Sequence, residues 1–108
     1  MYPNAMTDAD FLQAVKCSVH EIDPQAEVWL FGSRARGDAH PDSDWDFLVL
    51  TEKPVDRAFK NQLRDNLFDV ELVNNKVIGS IIHSRQEWED DYGVTPLYRN
   101  IKRDSKPV

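Results

Sequence analysis

The sequence holds one cysteine, four glycines and no apolar run approaching the length of a membrane span. With Cys17 alone, neither an intramolecular disulfide nor a thiolate metal cluster can form, and the thiol is expected to act as a small buried hydrophobe. No window approaches the roughly 18 to 20 apolar residues that a span requires. Met1 to Asp10 also lacks a basic region followed by an apolar stretch, so a soluble, cytoplasmic protein without membrane attachment is expected. Basic residues are scarce as well: 13 Lys and Arg stand against 19 Asp and Glu, for a net charge of -6. That balance argues against a general nucleic-acid-binding surface, so a polyanionic ligand must be captured locally. Internal repeats, low-complexity segments and linkers are absent from the chain.

What is present suffices for a packed domain. The 108 residues are 41% hydrophobic and 30% charged, with both signs interspersed, which suits one domain with a modest core. Thr7 or Asp8 can cap a helix whose apolar positions Phe11, Leu12, Val15, Val19 and Ile22 recur at three- and four-residue steps, and Asp23-Pro24 stops it. Glu27 to Phe31 is a short apolar run rich in strand formers that ends at Gly32. Asp44 to Leu50 reads as a second strand, with Trp45, Phe47 and Val49 on one face and Asp44, Asp46, Leu48 and Leu50 on the other. Phe59, Leu63 and Leu67 suggest a helix from Asp56 to about Asn66. Phe68 to Val73 alternates strictly and reads as a third strand, with Val77 to His83 returning after Asn74-Asn75 as a hairpin partner bulged at Gly79. Ser84 with Glu87 has capping-box spacing for a helix through Trp88 and Tyr92, and Thr95-Pro96 starts another that leads into a basic, flexible tail. His20, His40 and His83 are expected to be surface or structural residues.

The chemistry concentrates in Gly32 to Phe47. A glycine where a hydrophobic strand ends lets the backbone approach a ligand, and the unpartnered N-H groups of a first helical turn favour anions. Ser33 adds a hydroxyl, and Arg34 and Arg36 add charge that can meet phosphate. Asp44 and Asp46, two apart on a strand, project from one face roughly 6.6 to 6.8 Å apart. Such a pair repels itself unless solvent or a cation compensates, and hard divalent ions prefer oxygen ligands. The plainer reading of the same residues is a solvated loop and a pair of acids in water at a sheet edge.

Gly32-Ser33, ten intervening residues and then Asp44-Trp45-Asp46, with strands on both sides, resemble the nucleotidyltransferases of the DNA polymerase β superfamily. The wording Gly32-Ser33-Arg34-Ala35-Arg36-Gly37 and Ser43-Asp44 is most similar to the minimal nucleotidyltransferase (MNT-like) subgroup. The resemblance covers about residues 8 to 83. It implies a polymerase β-type fold and a catalytic, metal-binding set of Asp44, Asp46 and a third acid on a later strand. Asp69 is favoured as that acid because it follows one apolar residue at the strand start, with Glu71 on the same face as the alternative. It further implies nucleotide binding by Gly32 and Ser33, joined by Arg34, Arg36 and Ser43, and two Mg2+ ions, with Mn2+ as a substitute.

The expected fold is α/β or α+β: a small mixed sheet of about four strands with helices on one face and the carboxylates on the other. Residues 1-108 form a single nucleotidyltransferase domain in this reading, with a core at about 8-83 and a C-terminal helix and basic tail at about 84-108. The expected reaction transfers a nucleoside monophosphate from a nucleoside triphosphate, ATP for preference, to an acceptor hydroxyl with release of pyrophosphate. The alternative is an antitoxin-like partner-binding protein of a two-gene toxin-antitoxin module, bound to a helical HEPN-type ribonuclease toxin with or without nucleotidylation of that partner, whose tyrosine the resemblance offers as an acceptor. A third reading, modification of a small molecule such as an antibiotic, needs an acceptor-binding part that a homodimer or partner would supply. Acceptor, base preference and oligomeric state are not legible in the residues.

Overall fold

The structure, a computed structural model, describes residues 7-108. Helix α1 (Asp8–His20) begins where Thr7 accepts the Asp10 N-H and the Asp10 carboxylate accepts the Thr7 N-H in return, so two first-turn donors are satisfied reciprocally. Its buried stripe is Phe11, Val15 and Val19. Strand β1 (Glu27–Phe31) leads through the single-turn helix α2 (Ser33–Arg36) and a loop to β2 (Trp45–Thr51). Helix α3 (Arg57–Asn74), strand β3 (Ile78–Ser84), helices α4 (Arg85–Tyr92) and α5 (Pro96–Asp104), and strand β4 (Lys106–Pro107) complete the chain.

The sheet order is β3-β2-β1-β4. β1 runs antiparallel to β2 and β4, while β2 and β3 are parallel. The expected mixed α/β architecture with a four-stranded sheet is therefore present. Alternation along β2 divides the core in two. Trp45, Phe47 and Val49 join Val28, Leu30 and Ile82 against the stripes of α1 and α3. Leu48 and Leu50 pack with Trp88, Tyr98 and Ile101 from α4 and α5 on the opposite face. The face that carries Asp46 is thus covered below that residue by a second helical layer.

The stretch from Phe68 to Val73 is the main departure from expectation. It is the last part of the 18-residue α3 and not a strand. Leu63, Leu67 and Val70 continue one buried helical stripe, whereas Phe68, Leu72 and Val73 are exposed. The alternation is real, but a helical period fits the same residues once Phe59 and Leu63 are included, and 3.6-residue spacing wins because it buries a continuous face. Asn75 takes the left-handed conformation (φ 52°) as the α3 C-cap instead of turning a hairpin. β3 accordingly has no hairpin partner and pairs in continuous register with β2, without a bulge at Gly79.

Two smaller expectations also change. Cys17 is exposed. The end of the chain is ordered into the sheet: Lys106 pairs with Leu30, Pro107 with Trp29, and the Val108 N-H donates to the Val28 carbonyl. The expected caps at Ser84 and Thr95 are present, accepting the Glu87 and Tyr98 N-H groups. Among the described residues no helix is long and apolar enough to cross a membrane.

Candidate active site

Where β1 ends, Gly32 has φ 76°, a conformation that L side chains avoid. A Cβ there would also lie 2.5 Å from Asp46 Oδ2, so a side chain would strain the backbone and displace the Asp46 carboxylate. The Gly32 carbonyl accepts the Ala35 and Arg36 N-H groups, and the Ser33 carbonyl accepts those of Gly37 and Asp38. The Ser33 and Arg34 N-H groups, at the start of this turn, find no backbone acceptor among the described residues. Gly37, left-handed at φ 85°, closes the turn.

Asp46 lies across from Phe31 on β1 and from Gly79 on β3. A Cβ at Gly79 would lie 2.6 Å from Asp46 Oδ1. A glycine in the turn after β1 and a glycine on β3 thus make room for one carboxylate, an arrangement that brings the Gly32-Ser33 turn and Asp46 together. Burial raises the Asp46 carboxyl above its ordinary value, the nearby Asp44 charge raises it further, and Arg36 partly offsets both. Asp44 itself is exposed at the entrance of β2.

The other residues named from sequence divide between site and scaffold. The Arg34 guanidinium donates to the Pro41 and Ser43 carbonyls, at 3.1 Å each, and stacks 4.6 Å over the Trp45 ring. Its position makes it a clamp on the loop that delivers Asp44. The Ser43 hydroxyl accepts the His40 N-H at 2.8 Å and shapes that same loop. Arg36 pairs with Asp38 at 3.3 Å and remains the positive charge felt by Asp46. His83 is structural: it contacts Glu87 and stacks with Trp88 and Tyr92.

Asp69 is not brought to this set by a strand. It is an exposed residue of α3, and the expectation that it stands beside Asp44 and Asp46 is corrected accordingly. Glu71, the alternative, accepts the Ile78 N-H at 2.6 Å and fixes the start of β3. Among the described residues no three His, Cys, Asp or Glu side chains gather as a metal-holding group. The residue that sequence reasoning missed is Gly79, whose importance follows only from the parallel pairing of β3 with β2.

The family described as the nucleotidyltransferase domain matches residues 12–105. The chain belongs to the nucleotidyltransferase domain family. A relative from Haemophilus influenzae named "Probable protein adenylyltransferase MntA" is 33% identical over 61 residues, covering 56% of this chain and 54% of that protein. The chain therefore aligns with about half the length of that curated relative. A solved structure described as a minimal nucleotidyltransferase superposes with TM-score 0.56 and 26% identity, covering 94% of this chain and 97% of the other. A toxin-antitoxin crystal structure with AMP-PNP superposes with TM-score 0.64 and 18% identity, covering 94% of this chain and 72% of that one; at that identity the likeness is one of fold.

Proposed function

We propose that this nucleotidyltransferase binds ATP with magnesium and transfers the nucleoside monophosphate to a hydroxyl of a partner protein, releasing pyrophosphate. The observation that carries this reading is the enclosure of the Asp46 carboxylate between Gly32, which opens the Ser33 turn, and Gly79. A phosphate chain and a carboxylate would meet at one point there. The adenylyltransferase name of the Haemophilus relative and the AMP-PNP of the toxin-antitoxin structure support adenosine triphosphate as donor.

The residues fit a hard cation. Asp46 is half-buried and repelled by Asp44, a cost that a divalent ion with oxygen preference relieves. Asp44 and Asp46 would hold it. When bound, magnesium supplies charge neutralisation of the phosphates and orientation of the α-phosphate. The Ser33 hydroxyl and the Ser33 and Arg34 amides would bind the terminal phosphates. Arg34, by clamping the Pro41 and Ser43 carbonyls, would hold Asp44 at the mouth of β2, and Arg36 would add attraction for the triphosphate. Catalysis of this kind rests on positioning and electrostatics.

Incubation with α-labelled ATP, magnesium and a lysate of the source should label one or a few proteins. The Asp44→Asn, Asp46→Asn double variant should fold, as judged by circular dichroism, and label none. Labelling at the wild-type rate by the double variant would sink the reading.

The antitoxin-like reading draws on a separate observation. Phe68 and Leu72 on α3 and Val77 before β3 are 54%, 65% and 59% exposed, an apolar area of the kind that a partner protein covers. Retention of partner binding by the double variant would separate this role from the transfer chemistry.

A further inference from the structure

The strand neighbours of Asp46 decide how many cations its site can hold. On one side the register partner is Phe31, and on the other it is Gly79. Further along the face of β3 that bears Gly79 come Ile81, packed among Leu48 and Trp88, and His83, held by Glu87. Neither register partner of Asp46 carries a carboxylate. Asp69 is exposed on α3 and Glu71 is engaged by the Ile78 N-H. A pair of ions roughly 3.5 to 4 Å apart requires ligands to both, whereas one magnesium is commonly held by one or two carboxylates plus substrate phosphates.

We propose that this site takes a single divalent cation, held by Asp44 and Asp46 together with the nucleotide, because the β3 position facing Asp46 carries Gly79 and no acid. This count departs from the two ions that the resemblance implies. The proposal rests on the nucleotide-binding reading above and adds a consequence for the acceptor. In the transfer, the acceptor oxygen bonds to the α-phosphorus, the bond from that phosphorus to the bridging oxygen breaks, and pyrophosphate leaves with the electron pair. With no carboxylate on β3 to receive it, the acceptor proton passes to water, so transfer is slow at the chemical step. The position is otherwise suited to an acid: a side chain at Gly79 would point at Asp46 Oδ1, the end of a side chain that can move.

The test counts ions directly. Mn2+ binding is followed by electron paramagnetic resonance in the presence of an ATP analogue with a methylene bridge between the α- and β-phosphates. Wild type should bind one Mn2+ per bound analogue, and Gly79→Asp two. Gly79→Asp should also raise the transfer rate with natural ATP by roughly a hundredfold, the gain typical of a positioned base. Two ions in the wild type would overturn the proposal while leaving the nucleotide-binding reading standing. So would one ion in a Gly79→Asp variant that still binds the analogue. Wild type that binds neither analogue nor ion would overturn the nucleotide-binding reading and this proposal with it. Should Gly79→Asp fail to fold, the wild-type count alone decides.

Discussion

Asp44-Trp45-Asp46 and Asp69-Val70-Glu71 are the same pattern in sequence, two acids flanking one apolar residue, yet the fold gives them opposite uses. The first pair enters β2, where residues two apart share a face, and Asp46 meets the Gly32 turn. The second lies on α3, where residues two apart are separated by about 200° around the axis. There Val70 is buried, Asp69 faces solvent and Glu71 holds the first N-H of β3. On the proposed reading, an acid-apolar-acid triplet can hold a metal where strand geometry puts both acids on one face beside a turn with free backbone N-H groups.

Substitutions that separate the two pairs test this contrast. The largest effect is expected for Asp46→Asn. At ligand one hundred times its Kd, magnesium and nucleotide should stabilise the wild type by about 2.7 kcal/mol, and this increment should vanish in the variant, as read by thermal melting with and without ligand. The ligand-free variant should melt slightly higher than wild type at neutral pH. The folded Asp46 carboxyl sits above its ordinary 3.8 because of burial, with Asp44 adding to it. Its contribution to stability is therefore present in full below the unfolded value and is lost as pH rises through the folded one. Melting of wild type and variant from pH 3 upward should converge at the acid end. A variant that still binds magnesium and nucleotide normally would break the contrast.

Glu71→Ala should come next, and on stability alone. Removing the acceptor of the Ile78 N-H should cost about 1 to 3 kcal/mol, measured by urea denaturation, with metal-dependent nucleotide binding retained by the folded fraction. The smallest effect is expected for Asp69→Asn, within about 0.5 kcal/mol in stability and with no change in the number of Mn2+ ions bound. A loss of an ion in Asp69→Asn would return that residue to the site and erase the distinction between the pairs.

Much of the site was legible because its parts are local. A glycine-serine turn after a hydrophobic strand and an Asp-x-Asp at the start of the next both lie within Gly32 to Phe47; the turn kept its expected place, and β2 begins at Trp45, one residue after the expected Asp44. Arg34 was legible as a charge but not as a clamp, since its partners Pro41 and Ser43 are reached only when the loop folds back. The tail misled for a similar reason: Lys106-Pro107 has no strand propensity of its own and is ordered by pairing to β1. Phe68 to Val73 failed because six residues satisfy a period of two as readily as a period of 3.6, and only the run back to Phe59 distinguishes them.

By itself the sequence determined the elements whose signals are short-range: the start of α1 at Thr7 or Asp8, the apolar strands β1 and β2, the Gly32 turn and the pairing of Asp44 with Asp46 two residues apart. Backbone sterics and side-chain periodicity act over a few residues, so these needed no partner to be recognised. Only the tertiary structure decided which strand lies beside Asp46. The parallel pairing of β3 with β2 depends on α3 running its full length and crossing the sheet, a non-local event that no window of sequence contains. That pairing sets Gly79, and not an acid, against the carboxylate of Asp46 in the candidate site.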